Sequence, residues 1–203
     1  MKMGKKYYYS AYDTKERFAS YWHQIDEILR CAPQSVLDIG IGNNFIADYL
    51  KKQGVAVSTL DKDEALNPDI LSVLPEIPLP DSSIDVISAC QTLEHIDYED
   101  FLKTLREFWR VARRYVVISL PESIRRYAIK VQLPFFGALK ILIPVYFFIS
   151  PKLDPQHRWQ LDYGVYTVKK VAADIKKAGF IIKKNFIVFE NPGHRFFVLE
   201  KKV

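Results

Sequence analysis

VLDIGIGNN (residues 36–44) is the stretch of sequence that decides the fold. Its apolar half is typical of a short buried strand, which stops at Gly40 in a Gly-x-Gly turn. Glycine is needed in such a turn because a Cβ atom would keep a ligand away from the backbone. The residues after the turn open a helix, and its unpaired N–H groups attract polar or anionic groups. The stretch therefore predicts a strand, turn and helix that bind a cofactor.

A carboxylate follows the next predicted strand. Val55–Leu60 is a second apolar run, and Asp61 ends it about twenty residues after the glycine turn. The carboxyl ends of neighbouring parallel strands lie at one edge of a sheet, so Asp61 is expected close to the turn. There it can accept hydrogen bonds from both hydroxyls of a ribose. This pairing predicts a ligand that contains a nucleoside.

Strands and helices alternate along the chain, which favours right-handed crossovers and a mainly parallel sheet. The last two predicted strands are separated only by the turn Asn191–His194, so one of them must run antiparallel. The sequence thus predicts an α/β fold, a Rossmann-like doubly wound sheet with an antiparallel C-terminal strand, in three α/β/α layers. Helices are predicted at about 13–31, 44–53, 97–112 and 167–178, and strands at about 35–40, 55–60, 84–89, 115–120, 180–190 and 195–201.

Length and composition fit a single globular domain over residues 1–203. Of the 203 residues, 49% are hydrophobic and 26% are charged, which excludes disordered and collagen-like proteins. The net charge of +5 permits an anionic partner without selecting one. Cys31 and Cys90 form no disulfide framework, and residues 1–12 lack the apolar run of a signal peptide. We therefore expect a soluble, cytoplasmic protein.

Two classes of cofactor use this strand, turn and helix. A dinucleotide needs a third glycine where Phe45 stands, and Asp38 would repel its pyrophosphate. S-adenosylmethionine carries a sulfonium and an ammonium group, which a carboxylate beside the turn attracts. The residues therefore favour S-adenosylmethionine and argue against a nicotinamide-dependent oxidoreductase.

Four motifs, in this order and spacing, resemble the class I methyltransferase family and most closely its type 11 branch. The resemblance runs through residues 35–120, and the C-terminal helix and strand pair agree with the same fold. It implies an S-adenosylmethionine-dependent methyltransferase that acts by direct displacement, with the whole chain as one methyltransferase domain. The motifs are VLDIGIG at 36–42, LD at 60–61, IPLPDSSIDVI at 77–87 and TLEHI at 92–96.

The same resemblance implies which residues hold the cofactor. The glycine turn and Asp38 would line its methionine end, Asp61 its ribose and Gln91 its sulfonium. Many relatives have an aspartate where Val73 stands and a third glycine where Asn44 stands, so adenine would be held here by apolar and backbone contacts. The cofactor-binding set that the resemblance implies is Asp38, Gly40, Gly42, Asn43, Asp61, Lys62, Val73, Leu74 and Gln91.

A catalytic base is needed only where the acceptor atom must lose a proton. His95 is the candidate base beside the cofactor, and the alternative is that Glu94 and His95 start the following helix. His157 is a candidate for the acceptor side together with Trp159, for which the alternative is a place in the core. His194 is interpreted as structural or exposed. The two Cys and four His show no zinc-ligand spacing, so no metal site is predicted.

Residues 122–163 interrupt the alternating pattern as an apolar insertion. Gln132, Pro134 and Lys140 break its most apolar part, which argues against a transmembrane helix. One interpretation is a lid of short helices over the acceptor, and the place of the insertion after the strand at about 115–120 favours it. The other is an interfacial element at 125–149 that contacts a membrane surface. Both predict a small-molecule acceptor with apolar parts, or one linked to a lipid or glycan.

Two other functions stay open as alternatives. A cofactor-binding protein of the same fold that has lost activity is one of them, because Asn44, Val73 and Gln160 depart from the family pattern. Methylation of nucleic acid is the other, since lysines such as Lys176 and Lys177 could form a basic face. Lysines on exposed elements usually serve solvation, so nucleic acid is disfavoured as a partner.

Overall fold

Seven strands form one central sheet among residues 12–135, 137–145 and 153–202, which the computed structural model describes. The strands of this sheet are β1 (Ser35–Ile39), β2 (Ala56–Asp61), β3 (Ile70–Leu71), β4 (Ile84–Cys90), β5 (Ala112–Pro121), β8 (Phe180–Ile187) and β9 (His194–Lys201). Two further strands, β6 (Arg126–Leu133) and β7 (Gly137–Pro144), pair separately. The helices are α1 (Lys15–Arg30), α2 (Phe45–Lys52), α3 (Tyr98–Val111) and α4 (Val168–Lys177).

The strand directions confirm the predicted sheet. Its order is β3-β2-β1-β4-β5-β9-β8, and β1 pairs in parallel with both β2 and β4. β5 continues the parallel arrangement beside β4. β9 runs antiparallel to both β5 and β8, because residues 188–193 are too few for a helical crossover between β8 and β9. The predicted antiparallel C-terminal strand is therefore β9.

The order of the strands reverses beside β1. From β1 the chain moves outward through β2 and β3, and it then returns to β4 on the other side of β1. The carboxyl ends of β1, β2, β4 and β5 consequently lie at one edge of the sheet. The start of β9 reaches the same edge, where His194 pairs with Pro121. Ligands of open α/β sheets bind at such a reversal, so the topology itself selects this edge as the site.

Helices cover both faces of the sheet and confirm the three layers. On one face α3 and α4 bury Phe101, Phe108 and Ile175 in the larger core cluster. On the other face α1 and α2 bury Ile28 and Leu50. Full burial of an apolar side chain of this size contributes about 1.5–3 kcal/mol to stability. The two layers thereby hold the strand ends that build the site.

The apolar insertion contains a β-hairpin where the sequence analysis expected a lid of short helices. β6 and β7 pair over their full length, and Gly137 adopts a φ of +82° at the turn. Aromatic and β-branched residues alternate along β6 at Tyr127, Ile129 and Val131, and such residues favour strands over helices. Residues 136 and 146–152 of the insertion lie outside the described residues. Within the described part of the chain, no helix has the length and apolar character needed to cross a membrane.

A buried ion cluster anchors the hairpin at the edge of the sheet. The carboxylate of Glu122, directly after β5, accepts hydrogen bonds from Arg126 of β6 and from Arg195 of β9, the latter at 2.8 Å. Removal of one partner from such a cluster would leave a buried charge uncompensated, which is strongly destabilising. The root of the hairpin is therefore fixed beside the ends of β5 and β9.

Candidate active site

A cleft of about 550 Å³ opens at the carboxyl edge of the sheet. Its volume lies within the range of roughly 300–1,000 Å³ that is usual for small-molecule sites. All nine residues that the sequence analysis assigned to a cofactor border this cleft, so the structure brings them together. They are Asp38, Gly40, Gly42, Asn43, Asp61, Lys62, Val73, Leu74 and Gln91.

The glycine turn after β1 has a shape that requires glycine. Gly40 adopts a φ of +78°, and a Cβ atom on it would lie 2.2 Å from Oγ1 of Thr92. The hydroxyl of Thr92 is itself fixed, because it lies 3.1 Å from the carbonyl oxygen of Ile39 and 3.2 Å from that of Cys90. Position 40 therefore tolerates only glycine, and the backbone of this turn borders the cleft.

Asp61 joins the glycine turn to the end of β2. Its Oδ2 accepts a hydrogen bond from the backbone N–H of Ile41 at 3.0 Å, and its Oδ1 accepts one from Asp63 at 3.0 Å. The predicted closeness of Asp61 to the turn is confirmed. Each carboxylate oxygen has a second lone pair, so this side chain can also accept hydrogen bonds from the hydroxyls of a ligand.

Asp38 places a buried carboxyl group on the floor of the cleft. Its side chain is 3% exposed, and it accepts a hydrogen bond from Ser88, whose hydroxyl accepts one from Gln24 of α1 at 2.8 Å. Burial raises the pKa of Asp38 to about 7, and the nearby charge of Asp61 adds to this effect. A cationic ligand would favour the ionised form. The site thus suits a positively charged group.

The N-terminal helix forms a wall of the cleft, which the sequence analysis missed. Arg17, Ser20 and Gln24 of α1 border the cleft, together with Tyr12 just before the helix. Ser20, Gln24 and Glu27 are all buried on the inward face of α1. A helix that only covered the core would bury apolar residues at these positions. The polar residues on that face are the signal that could have revealed the wall.

Asn43 connects the turn to the segment before α1. Its side-chain amide donates to the carboxylate of Asp13 at 3.0 Å, and its Oδ1 accepts from the backbone N–H of Phe45 at 3.1 Å. Asn44, which precedes α2, adopts a φ of +64°, a conformation that asparagine tolerates better than most residues. The predicted cofactor residue Asn43 therefore borders the cleft and also accepts the backbone N–H of Phe45, the first residue of α2.

Two of the histidines border the cleft. His95 follows β4, and its Nδ1 donates to the carbonyl oxygen of Gln156 at 3.0 Å. His194 begins β9, and its Nδ1 is buried without a hydrogen-bond partner among the described residues. Burial lowers the pKa of His194 to about 3, so the ring is neutral at physiological pH. His194, which was interpreted from the sequence as structural or exposed, therefore lies in the cleft wall.

His157 and Trp159, which were predicted for the acceptor side, are not among the described residues that border the cleft. Trp159 is fully buried, and its ring centroid lies 4.8 Å from that of Tyr98 and 5.1 Å from that of Phe101. The alternative interpretation of Trp159 as a core residue is confirmed. His157 lies behind His95, with 5.1 Å between the two ring centroids.

A buried carboxylate lies beside these two imidazole rings. Glu94 is 1% exposed, and neither carboxylate oxygen has a hydrogen-bond partner among the described residues. Burial raises the pKa of Glu94 to about 8. One potential ligand atom each from Glu94, His95 and His157 all lie within 4.8 Å of one another. Sequence spacing could not reveal this group, because His157 is far from the other two residues along the chain.

Comparison with known proteins adds evidence on the family. A family model described as a methyltransferase domain, type 11, matches residues 37–118. A probable S-adenosylmethionine-dependent methyltransferase of Mycolicibacterium smegmatis is 32% identical over 124 residues, which cover 52% of this chain and 47% of that protein. The chain spans about half the length of the curated relatives it matches.

Solved structures share the fold. An S-adenosylmethionine-dependent methyltransferase from Aquifex aeolicus superimposes with a TM-score of 0.61 at 20% identity, covering 93% of this chain and 94% of that one. The 1,6-didemethyltoxoflavin-N1-methyltransferase of Burkholderia thailandensis, solved with 1,6-didemethyltoxoflavin and S-adenosylhomocysteine, gives a TM-score of 0.61 at 15% identity. That match covers 94% of this chain and 80% of the other. The predicted fold class is confirmed.

Proposed function

We propose that the chain is a class I methyltransferase of type 11, which its similarities support, and that it transfers a methyl group from S-adenosylmethionine to a small-molecule acceptor. The observation that carries the proposal is the cleft at the strand reversal, where the glycine turn, Asp38 and Asp61 meet. A nicotinamide-dependent oxidoreductase does not agree with the family or with a buried carboxyl at the turn.

The residues of the cleft fit this cofactor. Gly40 has no room for a Cβ atom beside Thr92, and its bare backbone borders the cleft. The buried carboxyl of Asp38 suits an ammonium group, and the lone pairs of Asp61 suit ribose hydroxyls. The proposed assignment gives the methionine part to Asp38, Gly40, Gly42 and Asn43, the ribose to Asp61 and Lys62, the adenine to Val73 and Leu74, and the sulfonium to Gln91.

Bound S-adenosylmethionine supplies an activated methyl group on a positively charged sulfur. The chain must hold the acceptor in line with that group and exclude water, and alignment alone can lower the barrier by about 7–11 kcal/mol. Gln91 is well fixed for this purpose, because its side-chain amide donates to Oγ of Ser119 at 3.2 Å and its backbone N–H donates to Ser119 at 2.9 Å. It therefore holds a defined position between the ends of β4 and β5.

The acceptor is proposed to enter between the two histidines of the cleft wall. His194 offers a neutral ring with a buried, unpaired Nδ1 among the described residues, so it can orient a hydroxyl or amino group. His95 is the base candidate for an acceptor that must lose a proton, because its Nδ1 donates to Gln156 and its Nε2 then carries a lone pair. The proposed acceptor thus has a nucleophilic oxygen or nitrogen.

One face of the β6–β7 hairpin is apolar and exposed. Its side chains form three directly opposed cross-strand pairs, which project from the same side of the hairpin. They are 42–68% exposed, and Phe135 at the tip is fully exposed. The six side chains of this apolar hairpin face are Tyr127, Ile129, Val131, Leu139, Ile141 and Ile143.

The opposite face of the hairpin turns toward the domain. Lys140 donates to Glu190 at 2.8 Å and lies over the ring of Phe189 at 5.1 Å. The apolar hairpin face therefore points away from the domain, and an exposed apolar patch of this kind marks an interaction site. Arg125, directly before β6, adds positive charge, which suits an anionic lipid surface. We propose that the hairpin rests on such a surface and that the acceptor has a lipid-like part.

Product formation tests the proposed activity. The chain would be incubated with methyl-labelled S-adenosylmethionine and a pool of small molecules and lipids, and S-adenosylhomocysteine would be quantified. The proposal expects acceptor-dependent formation of S-adenosylhomocysteine, which Asp61→Ala abolishes. Binding of the cofactor without any turnover would support the alternative of an inactive cofactor-binding protein.

A further inference from the structure

Glu94 is a buried carboxyl group without a hydrogen-bond partner among the described residues, so its charged form is costly unless a cation lies beside it. The nearest described groups do not satisfy it. Arg17 attracts the carboxylate electrostatically, but its guanidinium lies over the ring of Tyr12 at 4.0 Å. None of the described groups therefore satisfies this carboxyl group with a hydrogen bond.

Two imidazole rings lie beside this carboxylate. Nε2 of His157 is 4.0 Å from Oε1 of Glu94, and the ring centroids of His95 and His157 are 5.1 Å apart. One ligand atom from each of the three residues lies within 4.8 Å of the other two. A metal ion bound at about 2.1 Å from each atom would hold such ligands roughly 3–4 Å apart. Only a small closure of the three side chains is needed.

Hydrogen bonds behind the two rings set the tautomer that a metal ion needs. Nδ1 of His95 faces the carbonyl oxygen of Gln156 at 3.0 Å, and Nδ1 of His157 faces Oε1 of Gln160 at 3.2 Å. Both partners are oxygen acceptors, so each Nδ1 carries the hydrogen and each Nε2 carries the lone pair. Metal-binding histidines commonly donate their second N–H to an oxygen in this way.

The two segments that supply the three residues are joined to each other. The backbone N–H of Arg158 donates to the carbonyl oxygen of Glu94 at 2.8 Å, beside the bond from His95 to Gln156. Gln160, which orients His157, is held by its own bond to Oγ of Ser123 at 2.6 Å. The arrangement is therefore preorganised, as a metal site requires.

We propose that Glu94, His95 and His157 bind a divalent transition-metal ion such as Zn²⁺. Two histidines and one carboxylate are the ligand set of metal sites that keep an open coordination position. His95 borders the cleft, so an acceptor oxygen that enters the cleft can take that position. A metal ion there lowers the pKa of a bound hydroxyl, and His95 then acts as a ligand in place of a base. This role in catalysis rests on the proposed methyl transfer, whereas binding of the ion does not.

Metal titration tests the proposal. The purified chain would be stripped with a chelator and titrated with Co²⁺, whose visible absorption reports coordination, and then with Zn²⁺ as a competitor. We expect one ion per chain and a rise in Tm with Zn²⁺. Glu94→Gln and His157→Gln should each lower the affinity at least about 10-fold. The control His23→Gln should not, because His23 lies 3.8 Å from Glu190 in a different histidine–carboxylate pair.

The Glu94→Gln variant also distinguishes a role of Glu94 as a metal ligand from a purely structural role of its carboxylate. If Glu94 is a metal ligand, the metal-free Glu94→Gln variant should melt at or above the Tm of the metal-free wild type. It should also lose the Zn²⁺-dependent rise in Tm. Lack of one-to-one binding by the wild type, or unchanged metal affinity in both variants, would overturn the proposal. S-adenosylhomocysteine would be titrated into the same wild-type sample. If S-adenosylhomocysteine binds and the metal does not, only the metal proposal fails. If the metal binds and S-adenosylhomocysteine does not, the metal proposal is supported and the proposed function is contradicted.

Discussion

A Cβ atom placed on Gly40 would lie 2.2 Å from Oγ1 of Thr92, so the glycine turn after β1 and the loop after β4 touch at a point where no side chain fits. Thr92 cannot easily move away, because its hydroxyl is bound to the carbonyl oxygen of Ile39 at the end of β1. Any residue larger than glycine at position 40 would push the two strand ends apart. Those ends form the floor of the cleft.

Gly40→Ala should therefore lower the affinity for S-adenosylhomocysteine at least about 100-fold, which is near 3 kcal/mol. The control is Gly54→Ala at the end of α2, because Gly54 has a similar φ of +83° but no described atom within 4 Å of the position that a Cβ atom would take. That variant should lose only about 1 kcal/mol of stability and keep its affinity. Equal losses of affinity in both variants, measured by calorimetry, would contradict the account.

Binding of S-adenosylmethionine should depend on pH through Asp38. Its pKa of about 7 in the free protein means that the carboxyl is largely protonated below pH 7, and a cationic ligand must then displace the proton. We expect the affinity to fall by up to about tenfold per pH unit below pH 7 and to level off above it. The facing groups are Asp61 and Cys90, and burial raises the pKa of Cys90 to about 12. Asp38→Asn should bind weakly and show a flat profile, and a wild-type profile that is equally flat would refute the assignment.

His194 should make stability depend on pH. Its pKa falls from 6.5 to about 3 on folding because it is buried, so the unfolded chain binds a proton below pH 6.5 that the folded chain does not. Stability is then lost as the pH falls from about 6.5 toward 3, by about 1–2 kcal/mol between pH 7 and pH 5. His194→Gln should remove this part of the pH dependence in urea denaturation. Parallel curves for the two proteins would show that His194 is not buried as a neutral ring.

The apolar hairpin face should bind anionic phospholipid vesicles. Replacing the opposed pair Ile129 and Ile141 by serine should weaken co-sedimentation at least about 10-fold, since each side chain loses roughly 1 kcal/mol of apolar contact. The matched control replaces Ala128 and Leu142, the neighbouring pair on the other face, by serine. Self-association that the first double variant abolishes, without any vesicle binding, would assign this face to a second copy of the chain instead.

The edge of the sheet where the cleft lies could be predicted from the sequence because its determinants are local. One stretch of residues, 36–44, contains the strand, the turn and the start of α2, and the geometry of a parallel sheet then places Asp61 beside the turn. The antiparallel direction of β9 could also be predicted locally, because the connection after β8 is too short for a helical crossover. Such features need no knowledge of contacts between distant segments.

The other parts of the site depend on contacts between distant segments. The wall formed by Ser20 and Gln24 depends on how α1 packs against β4, where Gln24 meets Ser88. The group of Glu94 with His157 depends on the path of the insertion, and His194 enters the cleft only because β9 pairs with β5. Short helices were one of two interpretations of the insertion, although Tyr127, Ile129 and Val131 alternate along β6 as in a strand.

The most direct test of the central claim is calorimetric titration of S-adenosylhomocysteine into the wild type and Asp61→Ala, with Asp81→Ala as the control. Asp81 is an exposed aspartate that pairs with Arg110 outside the cleft. The account predicts one bound ligand per chain, an unchanged affinity in the control and a loss of at least about 100-fold in Asp61→Ala, because hydrogen bonds to a charged group contribute about 1.5–3 kcal/mol each. Folded wild-type protein that does not bind the ligand, or that binds it no better than Asp61→Ala does, would contradict the account.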